Sequence, residues 1–192
     1  MSDRKHWGSD LPLQAGDLIF TSIPNPLYRR VALATGSHAS HVGILFPDPA
    51  HGWVVAESTF PFAKYSPLEK FVARSDAGWF TVRRLKGGVS AAQVEALRRE
   101  CDARMGSLYH LGFRYESSRQ FCSKLVYDAY LAATGVRIGE LESFSTMLKH
   151  RPQTPQTFWR FWFFGFIPWS RLTVTPASLI ESSALETVLV HG

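Results

Sequence analysis

The sequence predicts a mixed chain of short strands and helices that includes one antiparallel hairpin, and three stretches carry that expectation. Residues 42–46 and 53–58 are apolar, strand-prone runs separated by the turn-rich Pro47-Asp48-Pro49-Ala50-His51-Gly52. Residues 90–106 read as a helix, with Ser90 and Gln93 spaced for a capping box and Val94, Leu97, Cys101 and Met105 on one stripe before Gly106. Residues 117–135 read as a second helix, with Ser117 or Ser118 near its start and Gly135 where a left-handed terminal residue is wanted. At 192 residues with 45% apolar side chains, residues 1–192 suffice for one domain with a full core.

Taken in order, residues 1–15 read as a poorly ordered lead-in. Residues 16–21 form a short buried strand, bounded by Gly16 and by Pro24-Asn25-Pro26. Asn25 can cap a following helix whose first residue is Pro26, whose face is Leu27, Val31 and Ala34, and which Gly36 ends. After the hairpin comes a loop holding Pro61 and Pro67, then a brief amphipathic segment at 68–72 and a strand at 79–85. Residues 109–116 are an irregular aromatic approach to the second long helix. Beyond it, residues 141–148 form a short helix, residues 151–155 a turn, and residues 175–181 a capped final turn. Between these lies the aromatic run 158–169, interrupted by Arg160, Gly165 and Pro168 and too short to span a bilayer as a helix. Its rings can serve as core, wall an acyl pocket or dip into a membrane interface.

Composition narrows the function classes. The formal charge of +5 is scattered over Arg29-Arg30, Arg83-Arg84 and Arg98-Arg99, with no nucleic-acid motif beside it, so nucleic acid is not an expected partner. Two cysteines make no disulfide framework, and the first residues hold no apolar run resembling a signal peptide; a cytoplasmic location with reduced thiols is expected.

Three residues stand out chemically. Cys122 falls in the first turn of its helix, where backbone N–H groups and the positive end of the helix dipole favour a thiolate and can hold an oxyanion. His41 opens the first hairpin strand and Glu57 closes the second. If Leu45 lies opposite Trp53, His41 lies opposite Glu57 on one face; a slip of one residue separates them. A thiol, an imidazole and a carboxylate are the parts of thiol acyl transfer. Cys101, in mid-helix, reads as packing. A zinc site from His38, His41 and Cys122, with Glu57 or His51, is the alternative, but the close-spaced Cys/His pairs of structural zinc sites are missing; no metal or cofactor is expected.

The order His, acid, Cys reverses that of ordinary papain-like enzymes. Gly16-Asp17-Leu18-Ile19, Ser40-His41-Val42-Gly43-Ile44, Ala56-Glu57-Ser58 and Phe121-Cys122-Ser123-Lys124-Leu125-Val126 resemble the successive motifs of the permuted papain-like amidases of YiiX, YaeF and YebB type, relatives of the NlpC/P60 and lecithin-retinol-acyltransferase-like proteins. The likeness runs from about residue 16 to 135 and returns at residues 174–185. It implies a circularly permuted, papain-like α+β fold with Cys122 as nucleophile, His41 as base and Glu57 as orienting acid. Lys124 stands where relatives commonly carry an acid, and Tyr109-His110 where they carry Tyr-Asp; Tyr109, Lys124 and His38 are the candidate substrate contacts. The function expected is a cysteine amidase cleaving an amide or ester of a peptide, small molecule or acylated lipid through a thioester on Cys122. An acyltransferase of the same fold, or a non-catalytic module meeting a membrane through residues 158–169, are the alternatives.

Overall fold

The computed structural model describes residues 11–149 and 156–192. The lead-in at 1–10 and the turn at 151–155 lie outside them. Among the described residues the main sheet has six antiparallel strands: β1 (Leu18–Thr21), β2 (His41–Asp48), β3 (Gly52–Ser58), β4 (Ala63–Pro67), β5 (Phe80–Leu85) and β8 (Leu185–His191), in the order β4-β3-β2-β1-β5-β8. A separate two-stranded ribbon joins β6 (Glu142–Ser143) to β7 (Leu172–Thr173). The helices are α1 (Pro26–Thr35), α2 (Leu68–Val72), α3 (Ala91–Asp102), α4 (Cys122–Thr134), α5 (Phe144–Lys149), α6 (Gln156–Trp162) and α7 (Pro176–Ile180).

Strands β1 and β2 read as continuous apolar runs because both faces of the sheet are covered. On one face Leu18, Phe20, Val42 and Ile44 pack against Leu125, Val126 and Ala129 of α4 and Leu97 and Cys101 of α3. On the other, Ile19, Leu45, Val55 and Val82 pack against Leu68, Phe71 and Val72 of α2. Cys101 is therefore a core residue, and burial pushes its thiol up to about 12. Leu11 and Leu13 also lean on the second face, and the Pro12 carbonyl accepts from Arg84 at 2.7 Å. Leu11 and Leu13 are thus docked, contrary to the flexible lead-in expected of residues 1–15, because they add to the apolar layer on that face.

Local signals place most helices. The Asn25 side chain accepts from Leu27 N–H at 3.0 Å and Gly36 closes α1 at φ 64°. Both bonds of the Ser90–Gln93 capping box are formed, although α3 stops at Asp102 rather than running to Met105. The segment expected as a helix from 141 begins as β6 and turns into α5 at Phe144. Strands β4 and β8 were not expected. Pro67 closes β4, an edge strand, where a missing N–H costs no ladder bond.

Two differences shape the site. The hairpin pairs Leu45 with Val55, not with Trp53. That is a shift of two residues, which preserves side-chain parity, so His41 and Glu57 stay on one face as diagonal neighbours instead of direct partners. Gly43 makes the approach possible: a Cβ there would lie 2.3 Å from Val55 Cγ1 and 2.8 Å from the Ala56 carbonyl. The second difference is the start of α4. Gln120 is held in a bridge, donating to the Leu108 carbonyl at 3.0 Å and accepting from His110 N–H at 2.7 Å, so its backbone is not free to turn helical. The helix begins at Cys122, and neither Ser117 nor Ser118 caps it; Ser117 accepts instead from Arg119 N–H at 3.1 Å.

Candidate active site

Cys122 is the first residue of α4, preceded by extended Phe121, whose side chain offers no cap. The first-turn N–H groups are consequently without a side-chain acceptor and face the same end of the helix as the sulfur. Cys122 is 4% exposed and lines a narrow apolar pocket. Tyr28, Tyr109, Phe113, Phe144, Met147 and Trp159 form much of its wall.

His41, at the start of β2, and Glu57, near the end of β3, have no exposed surface. Their side chains meet at 2.6 Å between Nε2 and Oε2. This leaves Nδ1, which is buried, as the nitrogen available to Cys122. Burial opposes a charge on this imidazole, yet Cys122 first and Glu57 second outweigh it and bring the pKa up to about 9. Glu57 shows the opposite balance. Burial would raise its pKa, but the hydrogen bond and charge of His41, followed by the charge of Arg74, hold it at about 2.

The carboxylate is held from three sides. Besides His41, Glu57 Oε1 accepts from Ser66 Oγ and from Arg74 Nη2, both at 2.6 Å. The Arg74 guanidinium lies 5.2 Å above the Phe71 ring, and that ring packs 5.4 Å from the His41 imidazole. Tyr28 meets the imidazole edge-on at 5.6 Å. Burial, and after it the charge of Cys122, pushes the Tyr28 phenol up to about 12, and Tyr109, buried beside it, is raised for the same reasons. None of Ser66, Arg74, Phe71 or Tyr28 stood out in the sequence. Ser66 sits on a strand read as loop and Arg74 just past a short helix; only Tyr28 left a trace, being one position from the apolar face of α1.

Of the expected substrate contacts, Tyr109 lines the pocket. Lys124 does not. A residue two positions from Cys122 points away from it on a helix, and its ammonium pairs with Asp128 while lying 5.1 Å over the Tyr115 ring. His38 is an exposed loop residue packed edge-on against Trp79 at 4.6 Å. The sequence alternative of a zinc site also finds no support in the geometry: His38 faces Trp79, and His51 sits in the β2–β3 turn on Asp48.

A thiol at a helix start, an imidazole on the neighbouring strand and a carboxylate behind it, on an antiparallel sheet, define the papain-like class of cysteine enzymes, here with the order of the parts permuted along the chain. The model of one such family, the permuted papain-like amidase enzymes of YaeF/YiiX type, family C92, matches residues 12–189, and the chain belongs to that family. The uncharacterized protein YiiX of Escherichia coli K12 is 30% identical over 175 residues, which is 91% of this chain and 85% of that protein. A crystal structure of YiiX from Escherichia coli O157:H7, described as a metalloprotein, superposes with a TM-score of 0.83 at 28% identity, covering 93% of this chain and 97% of that one.

Proposed function

We propose that the protein is a cysteine amidase that works through a thioester on Cys122 and takes substrates with an apolar acyl group. The observation that carries this reading is the buried His41–Glu57 pair, whose imidazole is influenced by Cys122, a thiol that lines an apolar pocket. The Cys122 thiolate attacks the carbonyl carbon, forming a C–S bond, while first-turn N–H groups of α4 stabilise the oxyanion. His41 gives its proton to the departing nitrogen as the C–N bond breaks. It then takes a proton from water, which attacks the thioester, and the C–S bond breaks to restore Cys122. Glu57 keeps the imidazole in the required tautomer and supports its positive charge. Tyr109, beside the sulfur, contacts the substrate. The near-absence of polar wall in the pocket favours an acyl chain over a peptide backbone, whose amides would be left unpaired there.

A metal has no part in this proposal. Among the described residues no group of three or more His, Cys, Asp or Glu is placed to hold one, and Glu57, the nearest carboxylate, is already engaged by His41, Ser66 and Arg74.

Alkylation with iodoacetamide followed by peptide mass spectrometry, alongside hydrolysis of a series of acyl anilides of increasing chain length, tests the reading. Cys122 should be alkylated in the native protein and Cys101 only on unfolding. Turnover should fall at least about 10³-fold in Cys122→Ala and survive Cys101→Ala. Retained turnover in Cys122→Ala overturns the proposal.

A further inference from the structure

The aromatic run divides into two populations. Trp159 is buried in the pocket wall and Ile167 in the core, while Phe161 and Phe166 are each 83% exposed and Phe164 is fully exposed. Three phenyl rings within six residues of chain stand in solvent, where an apolar cluster of this kind is uncommon on a soluble surface without a partner. Phe164 also has φ 52°, a left-handed conformation unfavourable for a bulky L-residue, and Gly165 follows at φ 95°. The turn is nonetheless well tied: Gly165 N–H donates to the Arg160 carbonyl at 2.6 Å and Phe166 N–H to the Phe163 carbonyl at 3.1 Å. The fold thus holds a strained turn that projects phenyl rings and gains no internal packing from Phe164.

The surroundings are basic. Arg160 is exposed on α6. Arg171 lies 5.1 Å over the Phe163 ring and donates to the Gly112 carbonyl at 2.9 Å, and Trp162 Nε1 donates to the Leu111 carbonyl at 2.9 Å. These bonds fasten residues 111–112 to the aromatic turn and bring Arg114 and Arg119 into the same field, in which the like charges of Arg171, Arg119 and Arg114 all act on His110. Glu116 offsets part of this charge at 3.5 Å from Arg114.

We propose that residues 161–166 are a membrane-docking tip that sinks Phe161, Phe164 and Phe166 into the headgroup boundary of an anionic bilayer, with the neighbouring arginines against lipid phosphates. Aromatic rings supply the insertion and arginines the attraction, the combination that holds a protein at an interface without spanning it. The same helix that carries Phe161 walls the Cys122 pocket through Trp159, so docking sets the pocket beside the lipid. The proposal stands independently of hydrolysis at Cys122.

Sedimentation with vesicles of phosphatidylcholine alone, and of phosphatidylcholine with phosphatidylserine, tests it. The full chain should sediment with the anionic vesicles and much less with the neutral ones, and added salt should weaken binding. The triple variant Phe161→Ser, Phe164→Ser, Phe166→Ser should keep its circular dichroism and melting temperature, since these rings pack on nothing, and should bind at least about tenfold more weakly. Cys122→Ala should bind as the unaltered protein does. Unchanged binding by the triple variant, or failure of the unaltered protein to bind either vesicle, overturns the proposal. So does self-association without vesicles that the triple variant relieves, which would assign the rings to a second copy of the chain.

Discussion

The chemistry of the site lies in two opposed displacements of charge. Raised to about 9 from an ordinary 6.5, His41 adds stability as a cation that is complete below pH 6.5 and is lost as pH rises through about 9. Lowered to about 2 from 4.5, Glu57 adds stability as an anion that is complete above pH 4.5 and is lost as pH falls through about 2. The full contribution of the pair therefore spans pH 4.5 to 6.5. The stability difference between the unaltered protein and Glu57→Gln, measured by urea midpoints across pH, should be greatest in that window and shrink above about pH 9. Turnover should show the same alkaline limb, because an imidazole without its proton cannot serve the leaving nitrogen. A flat profile to pH 10 would remove His41 as the acid.

At the scale of elements, the hairpin shows how a sequence can supply the parts of a contact without fixing their pairing. The apolar runs define β2 and β3, but His41 and Glu57 share a face only under an even shift and are separated by any odd one, so their meeting hung on a register that the hairpin sequence does not fix. The deciding residue is Gly43, whose missing side chain lets Val55 and Glu57 close on β2. Gly43→Ala should destabilise the protein by about 3 kcal/mol, read as a lower urea midpoint with an unchanged slope, because the added methyl meets backbone as well as side chain. The start of α4 was misjudged for a related reason. Ser117 and Ser118 have the chemistry of caps, but the Gln120 bridge, a contact from outside the local sequence, delays the helix to Cys122. That delay improves the site, since the nucleophile lands on the first residue with free N–H groups around it. Lys124, singled out by its departure from the pattern of relatives, lies outside the pocket because its ammonium is taken by Asp128 one helical turn on. Strand β8 was missed because only Leu185 of its residues is buried; its pairing with β5, not its own pattern, makes it a strand.

For the molecule as a whole, buried polar ties hold strand to strand and sheet to helix. Asp17, 1% exposed at the start of β1, takes both its oxygens to Arg84 of β5 at 2.7 and 2.8 Å, and the Tyr130 hydroxyl of α4 donates to the Gly16 carbonyl next to it. Asp17→Ala strands a partly buried guanidinium and should cost about 3 kcal/mol, seen in thermal unfolding monitored by circular dichroism, with Cys122 alkylation at 25 °C unaltered in the folded fraction. These layers also enclose His41 completely. Phe71 covers one side of its ring, Tyr28 abuts it edge-on, and Glu57 is itself anchored by Ser66 and Arg74. Such an imidazole cannot swing out to follow a proton. A bound molecule must bring its own nitrogen to a stationary donor, and selectivity becomes a question of length: an acyl group that bottoms out too early, or slides too deep, leaves its amide out of reach of a histidine that will not move to meet it.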